Sequence, residues 1–157
     1  MEQLTKKEIQ KLGYKCQTAN TAVTIDAHES AMAQINLWSR YGNKLYLILC
    51  EEEVSSFDAL FDLTASIDRA QYHIPLAPIT FSVVTYESVL TSIPTIQSIA
   101  QKAVFTQLQK HYSTSDNLEF DDNVEKIEIR ILLQYNKATL MVNTSGEPLH
   151  KRGYRSA

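Results

Sequence analysis

Glycine is scarce in this chain. Only Gly13, Gly42, Gly146 and Gly153 occur in 157 residues, and no two are spaced to build a phosphate-cradling or cofactor-binding loop. The two cysteines, Cys16 and Cys50, lie far apart with no Cys-x-x-Cys partner. That excludes a zinc ribbon or a redox pair and predicts two free core thiols in a reducing compartment. His28, His73, His111 and His150 are scattered, and neither His-Glu-x-x-His nor Gly-x-Ser-x-Gly is present, which removes the common metal and serine-hydrolase arrangements. Long apolar runs are absent too. The longest, residues 45–50, is far short of the roughly 20 residues that span a bilayer. No apolar stretch follows the charged start Met-Glu-Gln-Leu-Thr-Lys-Lys, so it does not read as a signal peptide. Nor is there an excess of positive charge: 15 Lys and Arg face 18 Asp and Glu, a net of -3. A uniformly basic nucleic-acid binder is thereby excluded. The chain reads as cytoplasmic, without metal, without membrane attachment and without a catalytic constellation of its own.

What is present is a regular alternation of short elements. Leu4, Ile9 and Leu12 share a helical face that Gly13 ends. Residues 15–26 alternate weakly, as a strand pair around Asn20 would. Asp26 is placed to cap a helix from His28 to Arg40, and Gly42-Asn43 breaks it. Residues 45–50 predict a strand that is apolar on both faces and buried, with the run Glu51, Glu52 and Glu53 as its solvated end. Ser55-Ser56 starts a helix carrying Phe57, Leu60, Phe61 and Ile67. Pro75 and Pro78 bracket a loop before a strand at 79–84. Ser92 followed by Pro94 opens the clearest helix, with Ile96, Ile99, Ala100, Ala103, Val104 and Leu108 at helical spacing. Residues 113–123 are a polar loop that holds Asp121 and Asp122. Ile127, Ile129 and Ile131 alternate with Glu128 and Arg130 in a strand, and Asn136-Lys137 turns the chain into a last strand at 138–143. The order predicts an α+β protein with mostly antiparallel sheets and helices on one face.

Two groups of residues suggest RNA chemistry. On the strong helix, Phe105 and Tyr112 lie off the core stripe, where aromatics can either stack bases or bury a second face. Lys102, Gln109 and Lys110 lie there too, free to meet phosphate or simply to be solvated. The second group is the end of the chain. Residues 144–157 hold Lys151, Arg152 and Arg155 against Glu147, a local charge of +2, which leaves -5 on residues 1–143. Arginine pairs phosphate bidentately and Tyr154 can stack, so the tail chemistry suits RNA, although composition alone favours an ordinary solvated linker.

The wording of the tail is more specific than its composition. Thr144-Ser-Gly-Glu-Pro-Leu-His-Lys-Arg-Gly-Tyr-Arg155 closely resembles the segment that joins the THUMP domain to the catalytic domain in bacterial ribosomal RNA guanine-N2 methyltransferases of the RlmL type, proteins commonly labelled N6-adenine-specific DNA methylases. Asn36-Leu-Trp-Ser-Arg40, Ser88-Val-Leu-Thr-Ser-Ile-Pro-Thr-Ile-Gln97 and Leu4 to Tyr14 resemble the same family, so the resemblance covers nearly the whole chain. It implies a ferredoxin-like subdomain over residues 1–55 with its first strand missing, a THUMP domain over 56–143, and a basic linker over 144–157. It also implies an RNA-binding role on large-subunit ribosomal RNA, with Lys151, Arg152, Arg155, Tyr154, Lys102 and Lys110 as contacts. The methyltransferase domain, with its Gly-rich S-adenosylmethionine loop and Asn-Pro-Pro-Tyr-like motif, would lie outside this sequence. The expectation is a trimmed fragment without activity of its own. A structural alternative has Leu149 and Tyr154 docking on that catalytic domain, in a protein-interaction module with little RNA affinity.

Overall fold

In a computed structural model, residues 2–19, 22–68, 77–112, 125–146 and 149 are described. The chain forms two compact units, residues 1–46 with 143–157, and residues 47–142. This division differs from the expected one at residue 55, because the strand starting at residue 46 joins the sheet of the second unit.

The first unit runs α1 (Glu2–Lys11), β1 (Cys16–Ala19), β2 (Ala22–Ile25) and α2 (Ser30–Trp38). Gly13 follows α1 at φ +94°, the left-handed conformation a glycine supplies cheaply at a helix end. β1 and β2 pair antiparallel, Cys16 opposite Ile25 and Ala19 opposite Ala22. Ile9, Ala31 and Ile35 form the core, with Leu12, Tyr14, Cys16, Ile25 and Leu45 packed against it. Asp26 does not cap α2 as expected. The helix starts four residues later, after Glu29, which makes no side-chain cap bond; instead the Ser30 N–H donates to His28 Nδ1 at 3.4 Å.

The second unit holds β3 (Tyr46–Glu53), α3 (Phe57–Ala65), β4 (Ile79–Tyr86), α4 (Ile93–Tyr112), β5 (Ile127–Gln134) and β6 (Lys137–Asn143). The sheet order is β3-β6-β5-β4. β5 and β6 are antiparallel. So are β3 and β6, since Thr139 bonds Glu51 while the Val54 N–H reaches the Asn136 carbonyl. β4 and β5 are parallel, the one departure from an antiparallel sheet, and the helical α4 supplies the crossover such a pair needs. One sheet face carries Phe81, Ile129, Ile131, Leu133, Ala138, Leu140 and Val142, all in one cluster with Leu60 and Leu63 of α3 and Ile96, Ala100, Val104 and Leu108 of α4. Both helices therefore cover that face, as the α+β reading requires.

Ser56 caps α3, accepting from the Ala59 N–H at 3.2 Å. Gln97 and Gln107 fasten α4, donating to the Phe81 and Ile67 carbonyls at 2.9 and 2.6 Å. β3 lies at the sheet edge rather than buried on both faces: Ile48 is exposed, and Glu51, Glu52 and Glu53 continue the strand into solvent. Glu51 pairs with Lys137, which holds its carboxyl below the usual range; a pair this exposed is worth at most about 1 kcal/mol.

A two-residue turn joins β5 to β6. Tyr135 and Asn136 have φ of +49° and +62°, the two left-handed residues of a type I′ hairpin. The Asn136 Oδ1 then accepts from the Val89 N–H at 2.8 Å and the Ser88 hydroxyl at 3.3 Å, pinning the loop that leads into α4. Asn136→Gly should cost about 1 kcal/mol from the lost bonds. Asn136→Ala should cost about 1–2 kcal/mol more from the added left-handed strain, an ordering that urea denaturation of the two variants can check.

Candidate nucleic-acid interface

The predicted contacts belong to different units. Lys102 and Lys110 are exposed on α4 of the second unit, eight residues and so about 12 Å apart along the axis. Phe105, between them, is 45% exposed and borders a small apolar groove of about 150 Å³ with Ala77, Ile79, Phe81 and Leu108. Its ring is thus shared between solvent and packing, as both sequence readings allowed. The side chain of Tyr112 lies outside the described residues, and so do Lys151, Arg152, Tyr154 and Arg155.

What the structure does describe is the base of the tail, and it is fixed to the first unit. The Asn36 amide, at the end of α2, donates to the Thr144 carbonyl at 3.5 Å and the Thr144 hydroxyl at 3.3 Å. Its oxygen accepts from the Ser145 hydroxyl at 2.8 Å, and that hydroxyl accepts in turn from the Leu45 N–H at 2.8 Å. Leu45 also takes the Thr144 N–H at 2.9 Å. Asn143 closes the turn on itself, accepting from the Ser145 N–H and donating to the Gly146 carbonyl, with Gly146 at φ +65°. Further on, the Leu149 N–H donates to the Asn43 carbonyl at 2.7 Å, and Leu149 is 4% exposed. Leu149 is therefore occupied inside this unit. The expectation that it docks on a separate catalytic domain is corrected by that burial.

A second device sits at the same end of α2. The Glu8 carboxylate accepts from the Ser39 hydroxyl at 2.9 Å and from the Arg40 and Tyr41 N–H groups at 2.8 and 3.4 Å. Ser39 Oγ also receives the Gly42 N–H at 3.1 Å. A side chain in place of the Gly42 hydrogen would meet that same Ser39 oxygen at 2.7 Å. The motif Asn36 to Arg40 thus has two jobs, holding the tail and bending the chain around Glu8. Neither job is legible in the motif itself, since the partners lie 31 and 108 residues away.

The fold also regroups the charge. Residues 1–46 and 143–157 hold nine Lys or Arg against five Asp or Glu, a net of +4, whereas residues 47–142 hold six against thirteen, a net of -7. The acidic character of the chain lies in the second unit alone, with Lys102 and Lys110 in it. Among the described residues there is no cluster of metal-ligating side chains and no helix long and apolar enough to cross a membrane. Both thiols are free. Burial, then the charge of Glu52, pushes the Cys50 thiol up to about 11, so it stays protonated and is a poor nucleophile near neutrality.

Residues 1–46 match the RlmL ferredoxin-like domain. The likeness extends well past that segment. The chain is 28% identical over 155 residues to the Bacillus subtilis (strain 168) protein named "Putative RNA methyltransferase YpsC", covering 99% of this chain and 40% of that protein. It is 30% identical over 159 residues to "Ribosomal RNA large subunit methyltransferase K/L" of Hydrogenovibrio crunogenus, covering 99% of this chain and 21% of the relative. Among solved structures, "SMU.472, a putative methyltransferase complexed with SAH" superposes with a TM-score of 0.83 at 30% identity, over 99% of this chain and 41% of that one. The resemblance to RlmL-type methyltransferases read from the motifs holds, and this chain spans well under half the length of the relatives it matches.

Proposed function

We propose that this RlmL-like chain is the RNA-recognition part of an S-adenosylmethionine-dependent ribosomal RNA methyltransferase, holding large-subunit RNA for a catalytic domain carried elsewhere in the parent protein. The extent of the likeness carries this reading: nearly the whole chain aligns with proteins named as RNA methyltransferases, yet it accounts for only 40% and 21% of their lengths. In this reading residues 56–143 are a THUMP domain, residues 144–157 lead toward the catalytic domain, and the protein works in the cytoplasm. Lys151, Arg152 and Arg155 contact phosphate and Tyr154 stacks. Lys102 and Lys110 are peripheral contacts, weakened by the charge of -7 around them.

SAH is what remains when S-adenosylmethionine has given up its methyl group, so the parent's reaction fits the SAH-bound relative. The described glycines of this chain do not fit that cofactor. Gly13 closes a helix, Gly42 packs on Ser39 and Gly146 turns the tail; none stands between a strand and a following helix, where backbone N–H groups would cradle a nucleotide. In this reading the methyl donor is held by the parent's catalytic domain.

The reading is tested by binding the chain to a large-subunit ribosomal RNA stem-loop over a salt series. Replacing Lys151, Arg152 and Arg155 with alanine should weaken binding and flatten the log–log salt slope by about 2 to 3 units. Unchanged affinity and slope would remove the tail from the interface. A scaffold role, positioning the neighbouring domain without binding RNA, is favoured by the acidic second unit together with the clasped tail base, and it predicts no saturable RNA binding at all.

A further inference from the structure

The first unit exposes an unusual corner. Leu37 and Trp38, the last residues of α2, are 69% and 63% exposed, and Tyr41, three residues on, is 48% exposed. Arg40 between them is exposed as well. These side chains ride on a turn that Glu8 holds through Ser39 Oγ and two backbone N–H groups, so the backbone beneath them is fixed. Lys7 and Lys11, either side of Glu8 on α1, are exposed, and the unit carries a net +4. Isolated exposed apolar residues are ordinary. Tryptophan, arginine and tyrosine within four positions on a braced turn, in the cationic unit of an otherwise acidic chain, are not.

We propose that Trp38, Arg40 and Tyr41, flanked by Lys7 and Lys11, form a stacking site for unpaired bases of single-stranded RNA. This deepens the RNA-recognition reading and rests on it. The chemistry is that of single-strand binders: aromatic faces accept any base, while Lys and Arg neutralise the backbone between stacked positions. Charge alone would draw any acidic partner to +4; the two exposed aromatics on one cationic turn favour RNA, whose bases present ring faces to stack on them. The Glu8 carboxylate, already taken by three donors, braces this corner rather than opposing phosphate.

Trp38 is the chain's one tryptophan, so its emission reports the site directly. The full chain is titrated with a short single-stranded RNA and, separately, with a blunt RNA duplex of equal length. Stacking predicts quenching of Trp38 by the single strand and far less by the duplex. Measured by anisotropy of a dye-labelled RNA, Trp38→Ala and Tyr41→Ala should each weaken single-strand binding roughly 5- to 100-fold, while Trp38→Phe retains most of it. Melting temperatures should be nearly those of the parent chain, since both side chains are largely exposed. If Trp38→Ala, Tyr41→Ala and the unsubstituted chain bind the single strand alike, the corner is not the site, although tail-dependent RNA binding would leave the wider reading standing. If no RNA binds at all, both fall. If RNA leaves the emission unchanged while Trp38 becomes shielded in the longer parent protein, the corner is a protein-docking face instead.

Discussion

Ile131→Ala should cost about 3–4 kcal/mol and lower the melting temperature of the second unit by more than about 10 °C. Ile131 is fully buried at the middle of β5, with Val83 beside it on the parallel side and Leu140 on the antiparallel side. Both neighbours belong to one cluster with α3 and α4, Leu140 within it and Val83 packed against it. Removing three carbons there opens a cavity that a two-sided sheet position cannot collapse to fill. Ile131→Val, which removes one carbon, should cost about 0.5–1.5 kcal/mol. Leu132→Ala, one residue on and pointing to the half-exposed opposite face, should cost clearly less than Ile131→Ala. Chemical denaturation of the three variants orders them; a Leu132→Ala cost equal to that of Ile131→Ala would contradict the assignment of the covered face.

The second large effect concerns the tail. Asn36→Ala removes both donors to Thr144 and the acceptor of the Ser145 hydroxyl. It breaks a relay that runs from the Leu45 N–H through Ser145 to Asn36, in which each bond polarises the next. At about 1 kcal/mol per net bond, with the Ser145 hydroxyl left short of a partner, the loss should be about 2 kcal/mol and about 4–8 °C in melting temperature. Amide hydrogen exchange gives the local signature. The Thr144 and Leu149 N–H groups, bonded to Leu45 and Asn43, should exchange faster in Asn36→Ala, while β5 in the second unit should not change. Thr144 protection equal to that of the unsubstituted chain would show that Asn36 does not hold the tail.

These two predictions draw on features that differed in legibility. The β5 stripe Ile127, Ile129 and Ile131 alternates visibly with Glu128 and Arg130, and the α4 stripe repeats at helical spacing, so the core was readable from local pattern. Ser56 was readable as a cap because its bond to Ala59 closes within three residues. The sheet order β3-β6-β5-β4 was not, because it pairs strands more than eighty residues apart and depends on loop closure rather than on local propensity. Asp26 misled for a related reason. A good capping residue stood near the helix start, but the helix began four residues later, and tertiary packing of Ala31 and Ile35 outweighed the cap.

The tail shows the same divide. Its wording resembles that of RlmL-type methyltransferases, while its composition suggested a solvated linker, and the buried Leu149 was invisible because its contacts lie in Asn43 and around Gly42. The charge distribution was misjudged along the chain for that reason. Counted in sequence order, a +2 tail follows a -5 body; once residues 143–157 are grouped with residues 1–46, the chain divides into +4 and -7. That regrouping places the tail cations Lys151, Arg152 and Arg155 in the cationic unit and Lys102 and Lys110 in the acidic one, which favours the first unit for the proposed RNA surface on electrostatic grounds.

The most direct test is an NMR titration of the chain with a large-subunit ribosomal RNA stem-loop that carries an unpaired end. The largest amide shift changes are expected in residues 1–46 and 143–157, around Lys7, Lys11 and the turn at residues 38–41, with smaller changes on α4. Changes centred on α4 near Lys102 and Lys110, or none at saturating RNA, would contradict that placement.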